Sequence, residues 1–335
     1  MLSSPSGIGW QGAGTISDDT LANGTTILSQ VKAIQAADGD VTISFGGAAG
    51  QEAALTAMTA ANLQAGYQSV IDRYHVHSLD FDIEGAAVAD QRSILRDQAL
   101  VGLKAANPGL NISFTLPVLP TGLTADGINV LASAKHDGLN VDLVNIMTMD
   151  YGASVDNGGA MGVDAINATI ATEKQLASLG LSSKIGITPM IGVNDIASEV
   201  FTLADAQTLV NYAQLDANVA RLSMWSVARD NGNSVGASYA SPDSSGIAQQ
   251  PTPSPRSSIS SITRGELCSA EVESRAANWV FTLPLVGRVG AKRRGGGSGC
   301  GTRLAPQRRP PPPTPPHKGE GITPSARRDH ASRHE

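Results

Sequence analysis

Between Thr25 and Arg229, short apolar runs alternate with longer segments of helical period, and this alternation constrains the fold more than any other feature of the chain. The runs are DVTISFGG from Asp40, SLDFDIEG from Ser78, NISFTLPVLP from Asn111, VDLVNIMTMDYG from Val141, KIGITPMIG from Lys184 and LSMWSVARD from Leu222. Each is rich in Val, Ile, Leu or Phe and is bounded by Gly, Pro, Asp or Asn, as buried strands are. Segments such as ILSQVKAIQAAD, DQRSILRDQALVGLKAAN, ATIATEKQLASLG and LADAQTLVNYAQLDAN lie between them and read as helices. Strands alternating with helices build right-handed crossovers and a parallel sheet. An open doubly wound sheet and a closed (β/α)8 barrel both satisfy that rule. Glu84, Asp150 and Arg229 close their strands with polar groups, which suits a site at the C-terminal ends of barrel strands. No GxGxxG or GxxxxGKS/T turn opens a helix to cradle phosphate. The expected fold class is therefore α/β, of the TIM-barrel type.

At 335 residues and 41% hydrophobic content, the chain can form one large domain or two small ones. No apolar run approaches the roughly 20 residues of a transmembrane helix, and the opening MLSSPSGIGW lacks the basic and apolar regions of a signal peptide. Cys268 and Cys300 are the only cysteines, so neither disulfides nor a thiolate metal site can hold the first 250 residues together. The net charge of −6 conceals two unlike parts, because residues 251–335 hold 14 Lys and Arg against 6 Asp and Glu, and 12 of the 18 prolines. Runs such as RRPPPPTPPHKGEG and AKRRGGGSGCG cannot build a core. The expected division is a catalytic barrel domain over residues 1–250 and a disordered Pro/Gly/Arg-rich tail over 251–335. Clustered arginine can bind phosphate, but no aromatic interleaving accompanies it here, so no nucleic-acid or membrane partner is expected. Since Gly and Pro codons are complementary in their first two bases, translated non-coding DNA is a second reading of the tail.

SLDFDIEG raises the chemical question. Side chains on a strand alternate, so Asp80, Asp82 and Glu84 share one face. Three adjacent carboxylates repel one another and are costly to desolvate, so stability does not explain them. A solvated edge strand is the alternative, but Leu79, Phe81 and Ile83 mark the opposite face as buried too. Such clusters occur where pKa values are tuned. Asp82, about 6.6 Å of strand before Glu84, can share a proton or a negative charge with it and so hold Glu84 protonated near neutral pH. Glu84 is then a candidate general acid.

Ordinary glycosidases place two carboxylates on opposite sides of the scissile bond, whereas neighbours on one strand approach from the same side. Asp82 is thus excluded as nucleophile. If the reaction is glycoside hydrolysis, the nucleophile is best supplied by the substrate's own 2-acetamido oxygen, which points to N-acetylglucosamine polymers. Metal binding competes for the acids, but hard cations are wrapped by loops rather than lined by one straight strand, and no metal or cofactor is expected.

These residues resemble the chitinases of glycoside hydrolase family 18. HSLDFDIE is similar to the family's Asp-x-x-Asp-x-Asp-x-Glu, with His77 in place of the first Asp. The resemblance implies Glu84 as proton donor, Asp82 orienting the acetamido group and Asp80 behind it. Ser44, Gly46 and Gly47 resemble the family's Ser-x-Gly-Gly. Met147, Met149 and Asp150 match its Met-x-Tyr-Asp imperfectly, Tyr151 being displaced by one, and Tyr151 is the expected hydroxyl for the acetamido oxygen. Trp225 stands for the family's tryptophan beneath the sugar, with barrel core as its alternative role. Similarity extends from about Gly14 to Gln250 and is strongest for bacterial members carrying LDFDIEG and NIMTMDYG. It implies a secreted, monomeric enzyme acting on chitin or N-acetylglucosamine oligosaccharides. The alternative is a chitin-binding protein or an inactive fragment. DVTISFGG matches the family's third strand, so six strands are expected where closure needs eight. On that count the barrel is incomplete, with its first two strands missing and its end altered near Gln250.

Overall fold

The computed structural model describes residues 2–4, 7–10, 14–50, 52–55, 59–249 and 281–282, so the expected tail lies outside the described residues except for Phe281–Thr282. Six strands form the centre: Val41–Gly46 (β1), Ser78–Asp82 (β2), Asn111–Leu119 (β3), Leu143–Thr148 (β4), Lys184–Pro189 (β5) and Val219–Leu222 (β6). Between them run Ala60–Tyr74 (α2), Ile94–Ala106 (α3), Ala125–His136 (α4), Met161–Leu179 (α5) and Leu203–Leu215 (α6), with Ile27–Gln35 (α1) ahead of β1. Thr26, Thr59, Thr124 and Thr202 open four of these helices, each hydroxyl accepting a backbone N–H from three residues on. A cap of this kind contributes about 1 kcal/mol.

Every strand pairs in parallel with its sequence neighbour, in the order β1 to β6. A doubly wound sheet reverses its strand order at a switch point. No reversal occurs, so the sheet winds in one direction as a TIM-type barrel does. Phe281–Thr282 pairs in parallel with Val41–Thr42 on the far side of β1, and among the described residues no pairing joins β6 back to that edge. Two small antiparallel additions stand apart: Leu2–Ser4, Gly7–Trp10 and Gly14–Thr15 near the start, and Gly192–Val193 with Val200–Phe201 after β5.

The last strand lies three residues before the expected Leu222 start. Its ladder with β5 is irregular between Val219 and Arg221, and beyond Leu222 the pairing continues from Ser223 N to Ile187 O (2.9 Å), then from Trp225 N to Pro189 O (2.8 Å) and Ile191 N to Trp225 O (3.0 Å), which make an isolated Met190–Trp225 bridge. Helix α5 begins seven residues ahead of the expected Ala168, because Gly162 N finds the Asp205 carboxylate at 2.9 Å and the chain can enter the helix there.

Strand alternation sorts the two faces of the sheet. Phe45, Phe81 and Phe114, three of the chain's five phenylalanines, stand in register on β1, β2 and β3 and face the helices. Phe45 and Phe81 stack at 5.1 Å, Tyr67 of α2 meets both edge-on, and Phe114 meets Phe81 edge-on at 6.0 Å. Leu79, Ile112, Leu116, Val144, Ile146, Ile185 and Ile187 fill the same layer and are fully buried. The inward face carries Ser44, Asp80, Asp82, Ser113, Thr115 and Asn145 in its place. A polar interior leaves fold stability to the helix-facing layer and reserves the interior for chemistry.

Among the described residues no helix is long and apolar enough to cross a membrane.

Candidate active site

The acids of β2 stand where alternation puts them, facing inward, but their surroundings differ. Asp80, the deepest, is 3% exposed and accepts three hydroxyls: Ser44 Oγ at Oδ2 (2.8 Å), and Ser113 Oγ (2.5 Å) and Thr115 Oγ1 (2.9 Å) at Oδ1. Behind Thr115 the chain of donors continues, Asn145 Nδ2 donating to Thr115 Oγ1 (3.0 Å) and Thr188 Oγ1 to Asn145 Oδ1 (2.9 Å). This belt crosses five strands and directs its donors at one carboxylate. Burial raises the Asp80 pKa, while the hydroxyls and the charge of Arg221 on β6 pull it back. A carboxyl surrounded by donors is satisfied as the anion.

Asp82 has the opposite environment. Its carboxyl is pushed well above the ordinary carboxylate range, first by burial and then by the charges of Asp80 and Glu84. Its Oδ1 is buried without a hydrogen-bond partner. Of the neighbouring pair, Asp80 has three hydroxyl donors facing its carboxyl and Asp82 has a buried oxygen with none. Glu84 follows the strand end, half-buried, in extended backbone (φ −139°, ψ 173°) ahead of the short turn Gly85–Ala87. Burial raises its pKa, and the nearby Ala48 N–H opposes that rise.

Gly46 and Gly47 make this packing possible. Gly46 adopts φ +92°, and a Cβ there would lie 2.3 Å from the Asp82 carbonyl oxygen. Gly47 adopts φ +86°, donates to that same carbonyl at 2.9 Å, and a Cβ on it would reach 3.4 Å from Asp82 Oδ2. Both conformations are the left-handed ones glycine tolerates. The pair lays bare backbone against the two outer acids.

The remaining expected residues lie at varying removes from the acids. Met147 faces inward on β4 in register with Pro117 and Thr188, half-buried, and Met149 lies just past the strand end, also half-buried. Asp150 turns the chain at φ +51°, and its Oδ1 accepts the Ile196 N–H at 2.9 Å, tying the end of β4 to the loop after β5. Tyr151 is 6% exposed, and its hydroxyl is buried with no hydrogen bond to Asp80, Asp82 or Glu84. The acidic groups acting on that hydroxyl are Asp164 and Glu199, and burial is the larger cause of its raised pKa. Trp225 bridges to Met190 just past β6 and is 36% exposed, an indole presented to solvent on the side of the strand ends. Sequence reasoning missed Ser113, Thr115, Asn145, Thr188 and Ala48. The first four had a signal, polar residues at every second position of otherwise apolar runs.

Among the described residues no group of three His, Cys, Asp or Glu side chains is placed to hold a metal ion.

No family model matches the chain. It is 37% identical over 243 residues to a probable bifunctional chitinase/lysozyme of Escherichia coli (strain K12), the match covering 67% of this chain and 27% of that one. It is 38% identical over 220 residues to endochitinase 11 of Metarhizium anisopliae, covering 60% of this chain and 42% of the other. The chain thus spans less than half the length of these curated relatives. Among solved structures, catalytic-site mutants of active domain 2 of chitinase from Pyrococcus furiosus superpose with a TM-score of 0.64 at 32% identity, covering 75% of this chain and 80% of that domain.

Proposed function

This chain belongs to the chitinases of glycoside hydrolase family 18, and we propose that it hydrolyses β-1,4-linked N-acetylglucosamine polymers with Glu84 as general acid and the substrate's own acetamido group as nucleophile. The observation that carries the reading is the divided environment of the three acids: Asp80 accepting three hydroxyls, Asp82 buried with an unpartnered oxygen, and Glu84 half-buried at the strand end with its pKa raised by burial. Glu84 gives its proton to the glycosidic oxygen as that bond breaks. The acetamido oxygen attacks the anomeric carbon from the opposite face and forms an oxazolinium-type ring. Asp82 lies on the acid's side and cannot attack; it orients the acetamido N–H and, once its proton moves toward Asp80, offsets the positive charge of the ring. Water then opens the ring with Glu84, now a carboxylate, as its base, which restores the proton and retains the anomeric configuration.

Trp225 is the apolar floor for a sugar ring, since a partly exposed indole offers a stacking face that a core residue would not. Ser44 holds Asp80, and Gly46 and Gly47 let the outer acids approach the backbone. We assign chitin or its oligosaccharides as the binding partner and a monomer as the working unit, because every named group comes from one chain. An insoluble polymer cannot enter a cell, so the work is placed outside it. Residues 1–250 form the catalytic unit in this reading.

The test is turnover of a chromogenic N-acetylglucosamine oligomer by the purified chain and by Glu84→Gln. The amide keeps the shape and loses the proton, so a fall of about 10²–10⁴ or more in kcat is expected. Activity retained in E84Q would remove Glu84 from the chemistry.

A further inference from the structure

We propose that Arg229 is a positioning residue for Trp225, its buried guanidinium joining the loop after β5 to the turn after β6 so that the indole stays presented to a sugar ring. This rests on the assignment of Trp225 as the sugar platform.

Arg229 closes the last apolar run of the sequence, where a polar group could face a substrate. The structure buries it instead, 1% exposed, at the end of the short turn Val227–Arg229. Its Nη2 donates to Ile191 O at 2.9 Å and to Val193 O at 2.5 Å, and its Nη1 donates to Ser241 O. These acceptors are all backbone carbonyls, and Nε is buried without a partner. A buried cation bonded to carbonyls rather than to a carboxylate is costly to desolvate, and an apolar side chain of similar volume often serves stability as well. What the guanidinium adds is geometry. Its planar fork holds several carbonyls at once in fixed directions, which the point charge of a lysine does not.

The held carbonyls lead directly to the platform. Trp225 N donates to Pro189 O at 2.8 Å and Trp225 O accepts the Ile191 N–H at 3.0 Å, so the Trp225 backbone is gripped by the two residues that flank Met190. Ile191 thus gives its N–H to Trp225 and its carbonyl to Arg229. Arg229 N donates in turn at 2.8 Å to the carbonyl of Ser226, the residue next to Trp225. Trp225, Ile191, Arg229 and Ser226 therefore form a closed circuit of hydrogen bonds and peptide links. The bonds to Val193 and Ser241 keep the guanidinium from swinging away, and Val193 N is itself held by Ser245 O at 2.8 Å. Strand β6 ends at Leu222, so Trp225 lies beyond the regular ladder, and with the indole 36% exposed, packing alone does not fix its direction. The circuit supplies that constraint.

The experiment compares the full chain with R229K, W225A and the double variant, measuring kcat and KM on a chromogenic N-acetylglucosamine oligomer and the indole N–H signals by ¹H–¹⁵N NMR. W225A sets the ceiling, since a residue acting only through Trp225 cannot cost more than Trp225 itself. R229K should raise KM roughly 3- to 10-fold with kcat little changed, as expected when a stacking face is displaced rather than removed. In the W225A background it should raise KM no further, because both changes then remove the same interaction. The Trp225 indole signal, identified by its loss in W225A, should broaden or divide in R229K, while that of Trp10, whose Nε1 donates to Tyr74 Oη at 2.6 Å, stays in place. If R229K does not fold, R229Q, which keeps an amide donor for one carbonyl, replaces it with the same expected result. Failure of both to fold would make Arg229 a support of the whole domain and overturn the proposal. Parental KM and an unmoved Trp225 signal in R229K, or equal losses from R229K with and without Trp225, would overturn it too. If W225A leaves KM unchanged, or the unaltered chain turns over no substrate, the platform reading fails, and the Trp225 and Trp10 signals alone then decide whether Arg229 holds the indole.

Discussion

Replacing Asp82 by Asn should stabilise the fold at neutral pH while removing turnover. Burial, the charges of Asp80 and Glu84, and a buried Oδ1 without a donor all disfavour the ionised form of Asp82, so folding raises its pKa. An unfolded Asp titrates near about 3.9. Above that pH the folded state binds a proton that the unfolded chain has released, and stability is progressively lost as pH rises toward the folded pKa. Asparagine takes no part in this titration and escapes the loss. Each tenfold increase in proton affinity on folding is worth about 1.4 kcal/mol. The amide has no proton to release in the unfolded chain, so a gain of about 1–3 kcal/mol at pH 7 is expected from the titration alone, with about 2–4 °C in Tm per kcal/mol for a domain of this size. Scanning calorimetry of both proteins at pH 7 and at pH 4 measures it. The D82N advantage should be present at pH 7 and shrink toward zero at pH 4. A D82N protein that melts at or below the parent at pH 7, or a gap that ignores pH, would refute the reasoning.

Gly46→Ala should destabilise the fold by about 2–4 kcal/mol, since it combines a left-handed backbone strained for alanine with a Cβ 2.3 Å from the Asp82 carbonyl; an unchanged denaturant midpoint would contradict the close approach. Trp225→Ala should raise KM for N-acetylglucosamine oligomers roughly 10-fold or more, as loss of a stacking aromatic does, with the melting temperature nearly unchanged because the indole is 36% exposed. A large drop in melting temperature instead would make Trp225 a core residue.

Much of the parallel sheet was legible because each strand run is bounded by Gly, Pro, Asp or Asn and four of the six helices open on a threonine cap. SLDFDIEG gave the acids directly, since period-two alternation is a local property. The last strand was misplaced because LSMWSVARD keeps its apolar content after the ladder has become irregular at Val219–Arg221, and composition does not report a bulge. The contrast between Asp80 and Asp82 was not legible, because it depends on hydroxyls from β1 and β3 more than 30 residues away. Arg229 likewise stood out as a polar strand end, but the carbonyls that hold it lie 12 to 38 residues away. Tyr151 was placed by analogy with a shifted pattern, and its burial beside α5 depends on how the chain turns at Asp150, a backbone feature that residue type alone does not specify.

The central claim is that three acids on one strand compel the substrate to supply its own nucleophile. Proton NMR of the first product formed from an N-acetylglucosamine oligomer tests it most directly, because the anomeric signals report configuration before mutarotation mixes them. The β-anomer should appear first, and no product should form when the residue at the cleaved bond carries a free amine instead of its acetamido group. An initial α-anomer, or equal cleavage of the deacetylated substrate, would demand a second carboxylate across the sugar and a different mechanism.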